Sequence, residues 1–149
     1  MATPRKLIAE AARKCAEALS HAMYRESCYQ KLLAHFLETD FIVYQEVHVI
    51  YKLNGFPYGT GRIDLLCVHK ETKKRIVVEL KANVSVRLRR DFGQLARYMH
   101  HTSCDAGLLL YFSGWSRKVG VHTFDHGSPP PLPVPCTPCP VYLSRTRSR

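Results

Sequence analysis

Acidic residues are scarce in this chain: 12 Asp and Glu stand against 22 Lys and Arg, leaving a formal net charge of +10 over 149 residues. Such an excess disfavours basic partners and favours polyanions, because clustered Lys and Arg gain free energy by displacing the counterions condensed on phosphates. Also missing is any apolar run long enough to span a bilayer, so no membrane partner is expected. Arg5, Lys6, Glu10, Arg13, Lys14 and Glu17 interrupt the N-terminal segment and exclude a secretory signal there. Its basic helical start would suit a mitochondrial presequence, but Glu10 and Glu17 oppose one. The six cysteines, at 15, 28, 67, 104, 136 and 139, do not frame short loops as in a small secreted scaffold. A reducing, intracellular compartment is expected, cytoplasmic or nuclear. No internal repeat is visible, and the length suits one domain plus a tail.

What is present reads as alternating helix and strand. Between Pro4 and Glu38 the apolar residues Leu7, Ile8, Ala11, Ala12, Cys15, Ala18, Leu19, Leu32, Leu33, Phe36 and Leu37 recur at helical spacing, as one long helix or two consecutive ones. Phe41 to Lys52 alternates like a strand, with Phe41, Val43, Val47, Val49 and Tyr51 on one side and Tyr44, Glu46 and His48 on the other. Asn54-Gly55 signals a turn, and the apolar runs Ile63–Val68 and Ile76–Ala82 flank a short charged connection that suits an antiparallel hairpin. Arg89 to His101 returns to helical spacing with an apolar stripe of Leu88, Phe92, Leu95 and Met99, and Gly107–Phe112 reads as a buried strand. Seven of the nine prolines fall between Pro129 and Pro140, and Arg145, Arg147 and Arg149 follow. Residues 125–149 are therefore expected to be an extended or disordered tail.

The chemistry concentrates in the hairpin. Glu79 and Lys81, two residues apart on a strand, emerge on one face. If the hairpin turns at Glu71-Thr72, residues whose numbers sum to 143 oppose one another, which sets Asp64 against Glu79. Opposed carboxylates repel within a sheet unless something compensates, and a hard divalent cation such as Mg²⁺ takes one or two carboxylates and completes its shell with water and phosphate oxygens. A metal-acidified water beside Lys81 suits phosphodiester hydrolysis. A lone Glu-x-Lys is more often an exposed ion pair, but an aspartate that interrupts the apolar partner strand is unusual, since Asp is depleted from strands. On the helix that follows, Arg90, Gln94, Arg97, Tyr98 and His101 share a face opposite the apolar stripe, with Arg87 and Arg89 just ahead, as a solvated face or a phosphate track. Gln94 and Tyr98, one turn apart, could reach the same site.

These residues resemble the GxxExxY proteins of the PD-(D/E)XK nuclease superfamily, from about Lys6 to Phe112. The likeness runs through a helix at Lys6–Ala22, Glu26-Ser27-Cys28-Tyr29, a Leu-rich helix at Lys31–Leu37, and Gln45-Glu46-Val47. It continues through Arg62-Ile63-Asp64-Leu65-Leu66, Val78-Glu79-Leu80-Lys81-Ala82 and Gln94-Leu95-Ala96-Arg97-Tyr98. The family pattern carries a glycine three residues before Glu26, where this chain has Met23. The resemblance implies an α/β, restriction-endonuclease-like core over residues 1–124, expected here as a four-stranded mixed sheet flanked by helices. It also implies Asp64, Glu79 and the Leu80 carbonyl as ligands of Mg²⁺, with Mn²⁺ as the alternative, Lys81 as the catalytic lysine, and Glu26 and Gln94 as accessory groups. Nucleic acid, DNA before RNA, is the expected partner, contacted by Arg87, Arg89, Arg90, Arg97 and Tyr98. A homodimer would suit the cutting of two strands, although no residue demands it.

Two other readings compete. The same fold can serve as a catalytically weak or inactive module that binds nucleic acid or a protein, since fold alone does not establish function. His122 and His126 followed by Cys136 and Cys139 offer two imidazoles and two thiolates for zinc, but in an atypical order across a proline-rich segment. Cys15, Cys28, Cys67 and Cys104 lie in apolar surroundings and are expected in the core.

Overall fold

A computed structural model of the chain describes residues 2–85 and 88–125. The elements run α1 (Pro4–Ala18), α2 (Glu26–Leu37), β1 (Phe41–Leu53), β2 (Phe56–His69), β3 (Arg75–Ala82), α3 (Leu88–Thr102), β4 (Ala106–Phe112) and β5 (Val119–Asp125). The strands form one mixed sheet in the order β1-β2-β3-β4-β5, antiparallel except for the parallel pair β3-β4. That parallel pair needs a crossover, which α3 supplies. The sheet thus has five strands where four were expected. The added strand, β5, lies at the edge with no fully buried residue, so its sequence lacks the apolar run that marks β4.

The helical periodicity before residue 38 resolves into two helices. Thr3 caps α1 by accepting from the Lys6 amide at 3.4 Å, Pro4 opens the first turn, and Leu19 closes the helix. The break precedes Glu26 although Met23 stands at the glycine position, and Gly114 makes room for it: a Cβ there would come within 2.9 Å of the Met23 Cα.

Two apolar layers sandwich the sheet. Ile8, Cys15, Tyr29, Leu33 and Leu37 of α1 and α2 bury against Ile76, Val78 and Leu80 of β3 and Leu108, Leu110 and Phe112 of β4, with the Tyr29 and Phe112 rings stacked at 4.5 Å. On the other face Leu95, Tyr98 and Met99 of α3 meet Val49, Ile63, Leu66, Val77 and Leu109. With both faces covered, β4 is buried throughout, as its unbroken apolar run requires. Cys15, Cys67 and Cys104 are buried free thiols, and burial pushes Cys15 and Cys67 up to about 12, so they are inert core residues. Cys28 is exposed instead of buried, because α2 turns that position away from the sheet.

The predicted register holds: Leu65 pairs with Val78, Leu66 with Val77, Cys67 with Ile76 and Val68 with Arg75, each summing to 143. The predicted faces of β1 do not hold. Phe41 and Val43 pack on the α1/α2 side, whereas Val47, Val49 and Tyr51 pack on the α3 side. The inversion occurs at Glu46, whose φ of 54° breaks the two-residue alternation. Ile63, opposite Val47, likewise faces α3 while Leu65, opposite Gln45, faces α1 and α2. β2 also begins earlier than its apolar run, at Phe56, because the Asn54-Gly55 turn, with φ of 50° and 80°, folds it back on β1.

Close packing of α3 on β4 depends on Gly107, where a Cβ would fall 2.7 Å from Met99 Sδ and 3.1 Å from a Leu95 methyl carbon. Gly107→Ala is expected to lower unfolding free energy by about 1–3 kcal/mol through overpacking, measurable as a reduced urea midpoint with unchanged m-value. An unchanged midpoint would show that α3 is free to shift.

Candidate functional site

The β2–β3 ladder stops at Leu65–Val78, one pair short of Asp64 and Glu79. There the side chains replace the backbone carbonyls as acceptors: Glu79 Oε1 accepts the Asp64 amide at 3.0 Å, and Asp64 Oδ2 accepts the Leu80 amide at 2.9 Å. The strands stay linked but splay, since each carboxylate occupies space that a carbonyl would leave free. Asp64 is half-buried, and Glu79 is only 2% exposed. Because Val78 and Leu80 point to α1 and α2, alternation directs Glu79 and Lys81 to the α3 side.

Across that gap α3 builds a polar chain. Lys81 Nζ donates to Gln94 Oε1 at 3.2 Å, and Gln94 Nε2 donates to Tyr98 Oη at 3.0 Å. Tyr98 Oη also accepts the Arg62 amide at 3.3 Å, tying α3 to β2 just ahead of Asp64. On its other side Lys81 lies 3.9 Å from the carboxylate of Asp91, itself 6% exposed and hydrogen-bonded by the Tyr111 hydroxyl. A buried carboxylate beside an ammonium offsets part of the cost of burying both, so Asp91 fixes where the lysine rests.

Glu26 stands at the first position of α2 and reaches the same cluster from the opposite layer. It shares with Lys81, Val84, Ser85, Arg90 and Asp91 a cleft of about 420 Å³. Burial raises its carboxyl above the ordinary range, the Asp64 charge adds to this, and Lys81 and the Ala82 amide pull it back. Burial also raises Asp64, against the Leu80 amide and the Lys81 charge. Glu79 is pushed up to about 9, first by burial and then by the Asp64 charge. The cluster therefore crowds several carboxyls around Lys81, and burial with mutual repulsion raises the Asp64–Glu79 pair towards its protonated form.

Of the residues singled out in the sequence, Glu26, Asp64, Glu79, Lys81 and Gln94 converge. Leu80 contributes its amide to Asp64 and lies between two of them. Arg89, Arg90 and Arg97 are exposed, and Arg87 lies outside the described residues. Tyr98 does not share their solvated face: it is 3% exposed and packs among Leu95, Met99 and Val77. Gln94 turns inward with it, because α3 is buried over a wider arc than its apolar stripe suggests. His122 sits on β5 against the Phe92 and Tyr111 rings at 5.5 and 6.0 Å. The remaining zinc candidates, His126, Cys136 and Cys139, lie outside the described residues.

Three participants escaped the sequence reading of the site. Asp91 looks there like an ordinary acid in the first turn of a helix. Tyr111 looks like part of an apolar run. Glu46, quoted only as a strand-ending acid, accepts from Gln30 Nε2 at 3.0 Å and pairs with Arg62 at 2.7 Å, pinning the β1 inversion beside the cluster.

Among the described residues no three of His, Cys, Asp and Glu are grouped to hold a metal ion. A pair of adjoining hard carboxyls, whose side chains also bond each other, does fit Mg²⁺, which binds proteins through one or two carboxylates and keeps several waters.

The family model described as the PD-(D/E)XK nuclease superfamily matches residues 3–124, and the chain belongs to that superfamily. Its members are in general nucleases that act on nucleic acid and typically use divalent metals. Among solved structures the chain is similar to the crystal structure of SSO0001, at 22% identity and a TM-score of 0.50 over 67% of this chain and 50% of that one. The likeness concerns the fold, and the chain spans half the length of that structure. No curated protein matches the sequence. No helix among the described residues is long and apolar enough to cross a membrane.

The raised Glu79 carboxyl sets a direction for stability against pH. In EDTA the folded state keeps a proton that the unfolded chain releases, so this contribution is complete below the ordinary value of 4.5 and is lost as pH rises towards about 9. Thermal melts are expected to show Glu79→Gln flattening that fall, and Mg²⁺ or Mn²⁺ raising Tm more at pH 8 than at pH 5. A metal-induced shift that is the same at both pH values, or that persists in Glu79→Gln, would contradict the assignment.

Proposed function

We propose that this chain is a metal-dependent nuclease that hydrolyses phosphodiester bonds, with DNA as its preferred substrate, and that it falls in the GxxExxY branch of its superfamily. The observation that carries this reading is the meeting of Asp64 and Glu79 where their shared ladder ends, with Lys81 one pleat further on. Asp64, Glu79 and the Leu80 carbonyl would hold Mg²⁺, or Mn²⁺ in its place. Bound there, the ion supplies an acidified water and offsets phosphate charge.

The chain's own residues do the rest. Gln94 and Asp91 hold the Lys81 ammonium between them, so it is already aimed when negative charge builds on the phosphoryl oxygens, and little reorganisation is needed. Glu26, with its raised carboxyl, is suited to exchange a proton with the attacking water or the leaving oxygen. Tyr98 acts through Gln94 and the Arg62 amide as a positioning residue and does not touch nucleic acid. Arg89, Arg90 and Arg97 are exposed for phosphate contact, which fixes position without reading sequence; Arg87 is assigned the same role from its place in the sequence. Residues 1–124, with Asp125 closing β5, form the nuclease domain, and the basic tail assigned to 125–149 lies, beyond Asp125, outside the described residues; the protein is intracellular, and a homodimer would place two sites on two strands.

Plasmid or oligonucleotide cutting is expected in Mg²⁺ or Mn²⁺ and not in EDTA. Asp64→Ala should abolish it while leaving binding intact, and undiminished cutting by that variant would sink the proposal. Lys81→Ala should lower kcat about 10²–10³-fold, the usual loss of one charge-stabilising donor, with oligonucleotide affinity changed far less; equal losses of both would remove the lysine from the chemistry.

A further inference from the structure

From Val47 to Ile63 the β1–β2 hairpin pairs only with itself, because β3 stops pairing with β2 at Leu65. The result is a two-stranded arm that leaves the sheet at Glu46 and Asp64, the edge of the candidate site. Its sequence is unusual for a solvated hairpin: between Val47 and Ile63 there is no acidic residue, while His48, Lys52 and Arg62 are basic or ionisable and exposed. Phe56 and Tyr58 near its tip are 70% and 59% exposed, beside exposed Ile50 and Leu53. Exposed aromatics on a ribbon free of acids suit a polyanion that carries flat apolar groups.

The arm is braced, not loose. Tyr51 lies across Gly59 and Gly61, so that a Cβ at Gly61 would overlap the Tyr51 hydroxyl and fall 2.6 Å from Tyr98 Cε1. Tyr51 in turn meets the His101 ring of α3 at 4.8 Å. Tyr58 is the extra residue of a bulge, since Tyr51 pairs with Gly59 and Lys52 with Pro57, and its hydroxyl lies 3.2 Å from His101 Nε2. The bulge and this contact hold the Tyr58 ring on the α3 side, the face on which Lys81 and Gln94 stand. Asp64 lies six residue steps along the strand from Tyr58, a span of about 20 Å, equivalent to about six stacked nucleotides of one strand.

We propose that the arm is a stacking platform for unpaired bases, so that the substrate carries a single-stranded segment some six nucleotides from the bond that is cut. Paired bases inside a duplex have no free face to offer Phe56 or Tyr58, whereas every unpaired base does, and such stacking is sequence-tolerant. Lys52 meets the accompanying phosphates; Arg62 is already paired with Glu46. This rests on the nuclease reading for the position of the cut, but the binding itself does not require catalysis.

The test is fluorescence anisotropy in EDTA with a labelled oligo-dT 20-mer and a blunt duplex of the same length. The wild-type chain is expected to bind the single strand more tightly than the duplex. Phe56→Ala should weaken single-strand binding about 5- to 100-fold, the loss of one stacked base, with duplex affinity and Tm unchanged. Phe56→Trp should restore binding, and Tyr58→Phe, which loses the His101 contact but keeps its ring, should retain it. Equal affinities for the two probes, or a Phe56→Ala variant that binds single strands normally, overturns the proposal, as does a variant that only converts a dimer into a monomer. If arm variants lose single-strand binding although the wild-type chain cuts nothing, the arm stands and the nuclease reading falls. If the wild-type chain cuts and arm variants bind and cut as it does, the reverse holds.

Discussion

Two hydrogen bonds organise this molecule: the Asp64 amide to the Glu79 carboxylate, and the Leu80 amide to the Asp64 carboxylate. In an ordinary antiparallel pair the acceptors would be carbonyls and the ladder would run on to the end of both strands. Here the side chains take the carbonyls' place. The amides remain satisfied, as buried backbone donors must, but the strands part. From that substitution follow the gap that admits Lys81, the release of the β1–β2 arm, and the approach of α3 to the opening.

The same arrangement concentrates negative charge where water is excluded. Burial and mutual repulsion raise the Asp64–Glu79 pair towards its protonated form, and Lys81 is divided between Gln94 and Asp91. In the proposed metal site, deprotonation of Glu79 and the arrival of positive charge would favour each other. Asp91, held by Tyr111, keeps the lysine beside the carboxylates, where its charge offsets part of theirs.

Strain sits close by. Glu46 adopts a left-handed backbone conformation that costs a non-glycine residue about 1–3 kcal/mol, and its contacts with Gln30 and Arg62 help to hold it. What the conformation achieves is a change of face: β1 packs under α1 and α2 at its start and under α3 beyond residue 46. The arm can therefore lean on Tyr98 and His101 while the sheet remains closed against the N-terminal helices.

Much of this was legible in the residue order. The helical and strand periods marked the segments of every element but β5, leaving open whether α1 and α2 are one helix or two; the hairpin sum of 143 placed Asp64 against Glu79, and the alternation of β3 put Lys81 with Glu79. These features are local, fixed by backbone geometry within a few residues. The parts that were not legible depend on contacts between distant segments. Alternation cannot reveal the inversion at Glu46, because nothing in Tyr44-Gln45-Glu46-Val47 forces a positive φ until Gln30 and Arg62 close around it. Helical spacing set Tyr98 among the arginines, and only the sheet beneath α3 shows that its ring is buried. β5 carries too little apolar sequence to declare itself without β4 beside it. The sequence by itself determined which of the polar residues brought together here share a strand face; the tertiary structure decided which second contact, Asp91, Tyr111 or Glu46, holds each of them in place, because burial and charge pairing exist only once distant elements meet.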